Sequence, residues 1–233
     1  MKLPVNKYPT FEIMLPTVRS TVKYRPWTSL ENKKILTANL SKNPREIYNA
    51  IFEVLTACIF DHIELKNIPL VDVEYLFTQI KSKSKQDIIE LTYQATKEKD
   101  GVEEVISLEL VLSSIVVTPT QEKNILLYDN VGVIMKIPTY EDSLLINSTD
   151  NEYEKIALLI DYIYDNKTIF SPPTVSIKEI AEWLETLMDS QLDKIINFTS
   201  NLPTIRTEIS FMLNTNPPRE KIIALEGLSD FFL

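Results

Sequence analysis

The spacing of the hydrophobic residues changes several times along this chain, and these changes constrain the fold more than any single motif does. Apolar residues alternate between 11 and 15 and again between 22 and 24, which predicts two short strands joined by a turn. Helical spacing follows, then a second group of strands, a second helical block and a last pair of strands. Helices and strands segregated in this way are typical of an α+β protein.

Three helices are predicted in the N-terminal region, residues 1–86, after the first pair of strands. Thr28 and Glu31 have the spacing of a capping box, in which the hydroxyl accepts a backbone N–H and the carboxylate reaches back to the cap. This predicts a helix start near residue 29. Asn43 followed by Pro44 predicts a second start, and Asp72 a third.

The predicted centre of the chain, residues 87–137, is an antiparallel β-meander. Apolar residues alternate from 89 to 95 and again from 106 to 112, on the two sides of an Asp-Gly turn dipeptide. Further short strands are predicted at 116–118, 125–128 and 131–137, with Asp129 and Asn130 turning the last pair.

An acidic helical block and a C-terminal β-hairpin complete the prediction. Residues 138–202 contain an apolar stripe from Tyr153 to Tyr164, a capping box at Ser176 and Glu179, and a further helix start near Ser190. In residues 203–233, a strand at 205–213 returns as 221–226. We expect the 233 residues to form a single compact unit, since 44% of them are hydrophobic.

The charge of the chain is unevenly distributed. The net charge of −9 argues against non-specific binding to nucleic acid, which requires a basic surface. The first 50 residues nevertheless contain nine Lys or Arg and three Asp or Glu, a balance of +6, so that the remaining 183 residues carry −15. This asymmetry could orient a protein partner or a second copy of the chain, or it could reflect only solvated faces of different sign.

The sequence predicts a soluble protein of a reducing compartment. It has no signal-peptide hydrophobic region and no uncharged apolar stretch approaching about 18 residues, so we expect no membrane contact. Its one cysteine, Cys58, has no intramolecular partner for a disulfide.

Motifs for catalysis are weak. His62 is the only histidine and follows Cys58 by four residues, which on a continuous helix would place both on one face. An apolar stripe explains Cys58 better, and a helix end explains His62. We therefore predict no catalytic residue.

Motifs for cofactors are weaker still. The three glycines are too far apart for a Walker loop or a dinucleotide fingerprint. The carboxylates of Glu179, Glu182, Glu185 and Asp189 follow helical spacing and suit a solvated face. We predict neither a cofactor nor a metal ion.

Two groups of residues remain as candidate partner contacts. The first comprises Tyr24, Arg25 and Trp27, whose residue types are enriched at interface hot spots, although Tyr and Trp beside a capping box also suit a protein core. The second group comprises Phe231, Phe232 and Leu233. An apolar segment at a chain end, which ordinarily frays, docks either on its own chain or on another protein.

Three segments of the chain resemble the T-even-type bacteriophage baseplate hub assembly protein family. Residues 8–38, with YPTFEIMLP followed by VKYRPWTSLENKKILTA, are similar to its opening pattern "LP…YRPF…EEK.LL.A". Residues 129–139 (DNVGVIMKIPT) resemble its "N.GV..RYPT" element, and residues 224–232 (ALEGLSDFF) resemble its closing "LEGL.DFF". The three segments follow the order of the family and span nearly the whole chain.

The resemblance implies a non-enzymatic assembly factor for the baseplate hub of a contractile-tailed phage, which contacts hub proteins in the host cytoplasm. The alternatives are a minor hub subunit that stays in the virion baseplate, a hub-associated cell-wall hydrolase that uses two carboxylates, and an acidic adaptor outside any virus. Many members of the family carry Cys-x-x-Cys pairs of the zinc-binding kind at two hairpin tips. The corresponding tips here, residues 96–102 and 214–219, have no cysteine, so we expect no zinc and mobile tips.

Overall fold

The computed structural model describes residues 4, 6–84, 87–96, 103–172, 174–213 and 218–232. The helices are α1 (Ser29–Ser41), α2 (Pro44–Cys58), α3 (Leu70–Ser84), α4 (Tyr140–Ile146), α5 (Glu152–Ala157), α6 (Ile177–Leu184), α7 (Asp189–Ser200) and α8 (Gly227–Phe232). The strands are β1 (Phe11–Met14), β2 (Thr21–Tyr24), β3 (Ile88–Thr96), β4 (Glu103–Val111), β5 (Val116–Val117), β6 (Asn124–Tyr128), β7 (Val131–Met135), β8 (Ile160–Tyr164), β9 (Ile169–Phe170), β10 (Ile205–Leu213) and β11 (Arg219–Glu226). The predicted α+β class is confirmed.

The chain divides into two compact units. The first comprises Met1–Leu65, Val71–Thr118 and Thr204–Leu233, and the second comprises Lys66–Leu70 and Pro119–Pro203. Each unit has its own buried apolar residues. Our expectation that residues 1–233 form one compact unit stays a prediction.

The N-terminal region of the first unit follows the sequence prediction. β1 and β2 form the predicted antiparallel hairpin, and α1 and α2 begin directly after Thr28 and Asn43. α3 begins at Leu70, two residues before the predicted start at Asp72. Asp72 is instead fully buried, and its carboxylate accepts the backbone N–H groups of Thr17 and Val18, each at 3.1 Å. This side chain therefore joins the turn of the first hairpin to α3.

Two long hairpins complete the first unit. β3 and β4 pair antiparallel from Ile88 opposite Val111. β10 and β11 form the predicted C-terminal hairpin, and β5 adds to the other edge of β10. Most of the two predicted tips lies outside the described residues.

The predicted central meander is wrong in its pairing, although its strands exist. β3 and β4 form a sheet of their own, β5 joins β10, and β6 and β7 belong to a four-stranded sheet with the order β6-β7-β8-β9. Alternation identifies a strand, but its partner is chosen by packing between residues far apart in sequence. Strands that are consecutive in the sequence therefore need not belong to one sheet.

The predicted helical block, residues 138–202, is also not purely helical, because it contains β8 and β9. The apolar stripe that begins at Tyr153 leaves the helix at Ala157, where α5 ends. The next segment, Ile-Asp-Tyr-Ile-Tyr, is rich in β-branched and aromatic residues and pairs with β7 as β8. The starts predicted for α6 and α7 are confirmed.

The core of the second unit lies between its sheet and its helices. Its buried members come mainly from β7, β8, α6 and α7: Leu127, Val133, Met135, Ala157, Leu159, Ile160, Ile163, Ile180, Ala181, Leu184, Ile195 and Phe198.

Candidate partner-contact surface

Arg25, one of the predicted contacts, lies in a network of hydrogen bonds. Its guanidinium donates twice to the carboxylate of Glu31, from Nη2 to Oε1 at 2.6 Å and from Nη1 to Oε2 at 3.0 Å. The same two nitrogens donate to the backbone carbonyls of Pro26 at 2.9 Å and Ala57 at 2.8 Å. One side chain thus joins the end of β2, the first turn of α1 and the last turn of α2.

Glu31 is the centre of this network. Only 11% of its side chain and 15% of that of Arg25 are exposed. The hydrogen bonds from Arg25 are the main reason why the pKa of Glu31 falls from 4.5 to about 2, and the backbone N–H of Thr28 contributes at 2.6 Å. The carboxylate is therefore ionised at neutral pH and closes the predicted capping box.

Tyr24 and Trp27 belong to the core of the first unit. Tyr24 is 3% exposed and stacks on Phe11 with ring centroids 5.7 Å apart. Trp27 is 7% exposed, and its ring centroid lies 5.4 Å from that of Phe77. Their rings are occupied by intramolecular packing, and their contact with a partner stays a prediction.

The C-terminal group is described only in part. Phe231 is 3% exposed, so this ring docks on its own chain, as does the neighbouring Leu228. Leu233 and the side chain of Phe232 lie outside the described residues. A partner contact by this group also stays a prediction.

The outer side of α1 presents an exposed apolar surface that the sequence analysis missed. Leu30, Leu36 and Leu40 are 68%, 54% and 84% exposed. With roughly 100° between successive helical residues, they lie within an arc of about 120°, together with Lys33. We call these four residues the leucine face. Several large apolar side chains on one helix face mark an interaction site more often than scattered ones do.

A shallow cleft of about 520 Å³ runs beside the leucine face, between α1 and α2. Lys34 and Glu53 form an ion pair across it at 2.8 Å. Since Glu31, the only acid of α1, is buried, the exposed charges of this helix are all positive. The leucine face therefore suits an apolar partner surface with an acid opposite Lys33, while Glu46 and Glu53 of α2 line the other side of the cleft.

The residues considered for catalysis are not brought together on one helix. α2 ends at Cys58, and Ile59 is extended, so His62 does not continue the helix. Cys58 is fully buried, and that burial is the main reason why the pKa of its thiol rises to about 12. A thiol with so high a pKa is a poor nucleophile at neutral pH.

The described residues contain neither a metal-binding cluster nor a membrane-spanning helix. Among them, no three His, Cys, Asp or Glu side chains are grouped so as to hold a metal ion. In the same part of the chain, no helix combines the length and the apolar character needed to cross a membrane.

A family model described as T4 bacteriophage base plate protein matches residues 8–233. The chain belongs to this family. No curated protein and no solved structure matches the chain. The resemblance that we identified in the sequence is thereby confirmed for the baseplate, and an adaptor outside any virus is disfavoured.

Family membership also indicates which proteins the surface of this baseplate protein contacts. It implies contacts with other baseplate proteins of the phage. In α1, the exposed leucines do not lie on the side of the capping-box residue Glu31, which is buried. Only the fold shows that Glu31 faces inward, so the sequence alone does not reveal that Leu36 and Leu40 are exposed.

Proposed function

We propose that this baseplate protein is a non-enzymatic assembly factor for the baseplate hub, which acts transiently in the host cytoplasm through protein–protein contacts. The observation that carries the proposal is the family match over residues 8–233, because it includes all three segments that resemble hub assembly proteins. Hub proteins are the proposed partners.

The leucine face supports this role because it offers a contact surface on a well-anchored helix. The ion pair between Arg25 and Glu31 fixes the start of α1, so the exposed leucines are held in a defined position. A partner groove that receives them would bury apolar area, and the basic N-terminal region would steer an acidic partner toward it.

A minor structural subunit of the hub is the second candidate. The same leucine face and the same family match support it, since a retained subunit also needs a large contact surface. The two candidates differ only in whether the protein leaves before the particle is complete. A cell-wall hydrolase that uses two carboxylates has less support, because the family match is to baseplate proteins and not to hydrolases.

The contact surface can be tested with purified hub proteins. We expect the double variant Leu36→Ser, Leu40→Ser to bind its hub partner at least tenfold more weakly, because burial of each leucine contributes about 1.5–3 kcal/mol. Its thermal unfolding should change little, since both side chains are exposed. Binding is measured by calorimetry or surface plasmon resonance.

Leu126→Ser is the matched control, because Leu126 is 53% exposed but lies on β6 in the second unit. It should bind like the wild type. If no hub protein binds the wild-type chain, the hub is the wrong partner. If a hub protein binds the wild type and the double variant equally well, the leucine face is the wrong surface.

A further inference from the structure

The second unit contains a pocket whose chemistry differs from that of the leucine face. Four aromatic side chains and two carboxylates line a pocket of about 260 Å³. We call it the aromatic pocket and define it by Tyr128, Tyr164, Phe170, Trp183, Asp165 and Glu179. The buried side chains of Ile163 and Ile180 line it as well. Tyr128 and Phe170 remain 42% and 37% exposed, so their rings are accessible.

Backbone geometry helps to fix the position of Tyr164. This residue lies opposite Gly132 in the pairing of β7 with β8. A Cβ atom on Gly132 would come within 2.4 Å of the Tyr164 hydroxyl oxygen, so the ring lies directly over the glycine. The hydroxyl donates to Oδ1 of Asn124 at 2.7 Å. This wall of the pocket is therefore in place before any partner arrives.

Both carboxylates are held in their ionised form. Oδ1 of Asp165 accepts the backbone N–H groups of Lys167 and Thr168, each at 2.7 Å, which lowers its pKa. Glu179 accepts the backbone N–H of Ser176 at 2.8 Å in the capping box of α6, and its pKa is lowered for that reason. Within the described part of the chain, neither carboxylate forms a salt bridge.

We propose that the aromatic pocket binds an arginine side chain presented by a partner protein. A guanidinium stacks on Tyr and Trp faces through cation–π attraction, and its planar fork of N–H groups fits a carboxylate. Charge favours the same occupant, since residues 139–202 contain twelve acids and four bases. A purely apolar occupant would use the rings but not the carboxylates.

The proposal does not depend on the hub as the partner, and small probes test it on the full-length protein. We expect N-acetyl-arginine methylamide to shift the NMR signal of the Trp183 indole N–H saturably. The signal of the buried Trp27 in the first unit should not move. The lysine analogue should bind at least threefold more weakly. The citrulline analogue, which has a similar shape but no charge, should not bind.

Isosteric variants test the carboxylates. Glu179→Gln and Asp165→Asn remove the charges but keep oxygen acceptors for the backbone N–H groups, so the combined variant should fold while binding the arginine probe at least fivefold more weakly. Glu182→Gln is the control, since Glu182 is exposed on the same helix but does not line the pocket. A thermal unfolding scan of each variant confirms that it is folded.

Four results would overturn the proposal. They are no binding of the arginine probe, equal binding of the citrulline or lysine probe, an unchanged affinity in the combined variant, and an equal loss in Glu182→Gln. The last result would show that the general negative charge, and not the pocket, attracts the probe.

Discussion

At the scale of single residues, Arg25 shows how a residue type favoured at interfaces can serve the fold instead. Its guanidinium donates to Glu31 and to the carbonyls of Pro26 and Ala57. Lysine would keep the charge but lose the planar fork that satisfies these acceptors together. We expect Arg25→Lys to lower the free energy of unfolding by about 1–2 kcal/mol, as measured by urea denaturation.

Lys34→Met is the control for Arg25→Lys. It also removes an ion pair, but that pair, between Lys34 and Glu53, is exposed to solvent. We expect Lys34→Met to change the free energy of unfolding by less than about 0.5 kcal/mol. An Arg25→Lys variant that is as stable as the wild type would show that the network around Glu31 does not stabilise the first unit.

Glu31 should make the stability of the protein depend on pH. Its pKa is about 2 in the folded chain and 4.5 ordinarily, so folding favours the ionised form. The stabilisation by ionised Glu31 is present above pH 4.5 and is lost as the pH falls from 4.5 to about 2. We expect the wild type to lose about 2–3 kcal/mol more than Glu31→Gln over that range.

The measurement is the free energy of unfolding in urea at a series of pH values. Glutamine can still close a capping box, so the variant isolates the charge. Other acids also titrate in this range, and therefore the difference between the two proteins is the informative quantity. Parallel curves for wild type and variant would contradict the role given to Glu31.

At the scale of secondary-structure elements, the pairing of β7 with its neighbours depends on Gly132. A Cβ atom there would come within 2.7 Å of the Ile125 carbonyl oxygen and within 2.4 Å of the Tyr164 hydroxyl. The carbonyl belongs to the paired strand β6 and cannot move away independently. We expect Gly132→Ala to destabilise the protein by about 1–3 kcal/mol in thermal or chemical unfolding.

A double-mutant cycle identifies the cause of this destabilisation. In a Tyr164→Ala background, the clash with the ring is gone and only that with the carbonyl remains, so the effect of Gly132→Ala should be smaller. An equal effect in both backgrounds would mean that the tyrosine does not set the requirement for glycine.

The elements also show which parts of the fold the sequence determines locally. The capping boxes at Thr28 and Ser176 are complete within four residues, and the helix starts predicted from them are confirmed. The pairing of β5 with β10 joins residues almost ninety positions apart, such as Val117 and Ile205, and no local pattern contains it. For the same reason, no local pattern shows that the strands of the central region belong to three different sheets.

The candidate surfaces were harder to predict than the elements, because exposure depends on tertiary packing. Tyr24 and Trp27 have residue types that suit either a core or an interface, and the fold buries both. Leu36 and Leu40 look like core residues in the sequence, and the fold exposes them. The aromatic pocket draws on β8, which was predicted as part of a helix, so its composition was not visible from the sequence.

At the scale of the whole molecule, each unit carries one of the two contact surfaces that we propose. The leucine face of the first unit is apolar with positive charges, whereas the aromatic pocket of the second unit is lined by ionised carboxylates. Two surfaces of different chemistry suit a protein that contacts more than one neighbour in an assembly. The local charge fits the same arrangement, since residues 1–50 of the first unit have a balance of +6 and residues 139–202 of the second unit, with twelve acids and four bases, have a balance of −8.

We propose that this baseplate protein assists assembly of the hub and then leaves. Quantitative mass spectrometry of hub intermediates from infected cells, and of purified finished particles, distinguishes a transient factor from a retained subunit. We predict that the protein is abundant in the intermediates and far below one copy per baseplate in finished particles. A stoichiometric amount in finished particles would show that the protein does not leave and would identify it as a structural subunit.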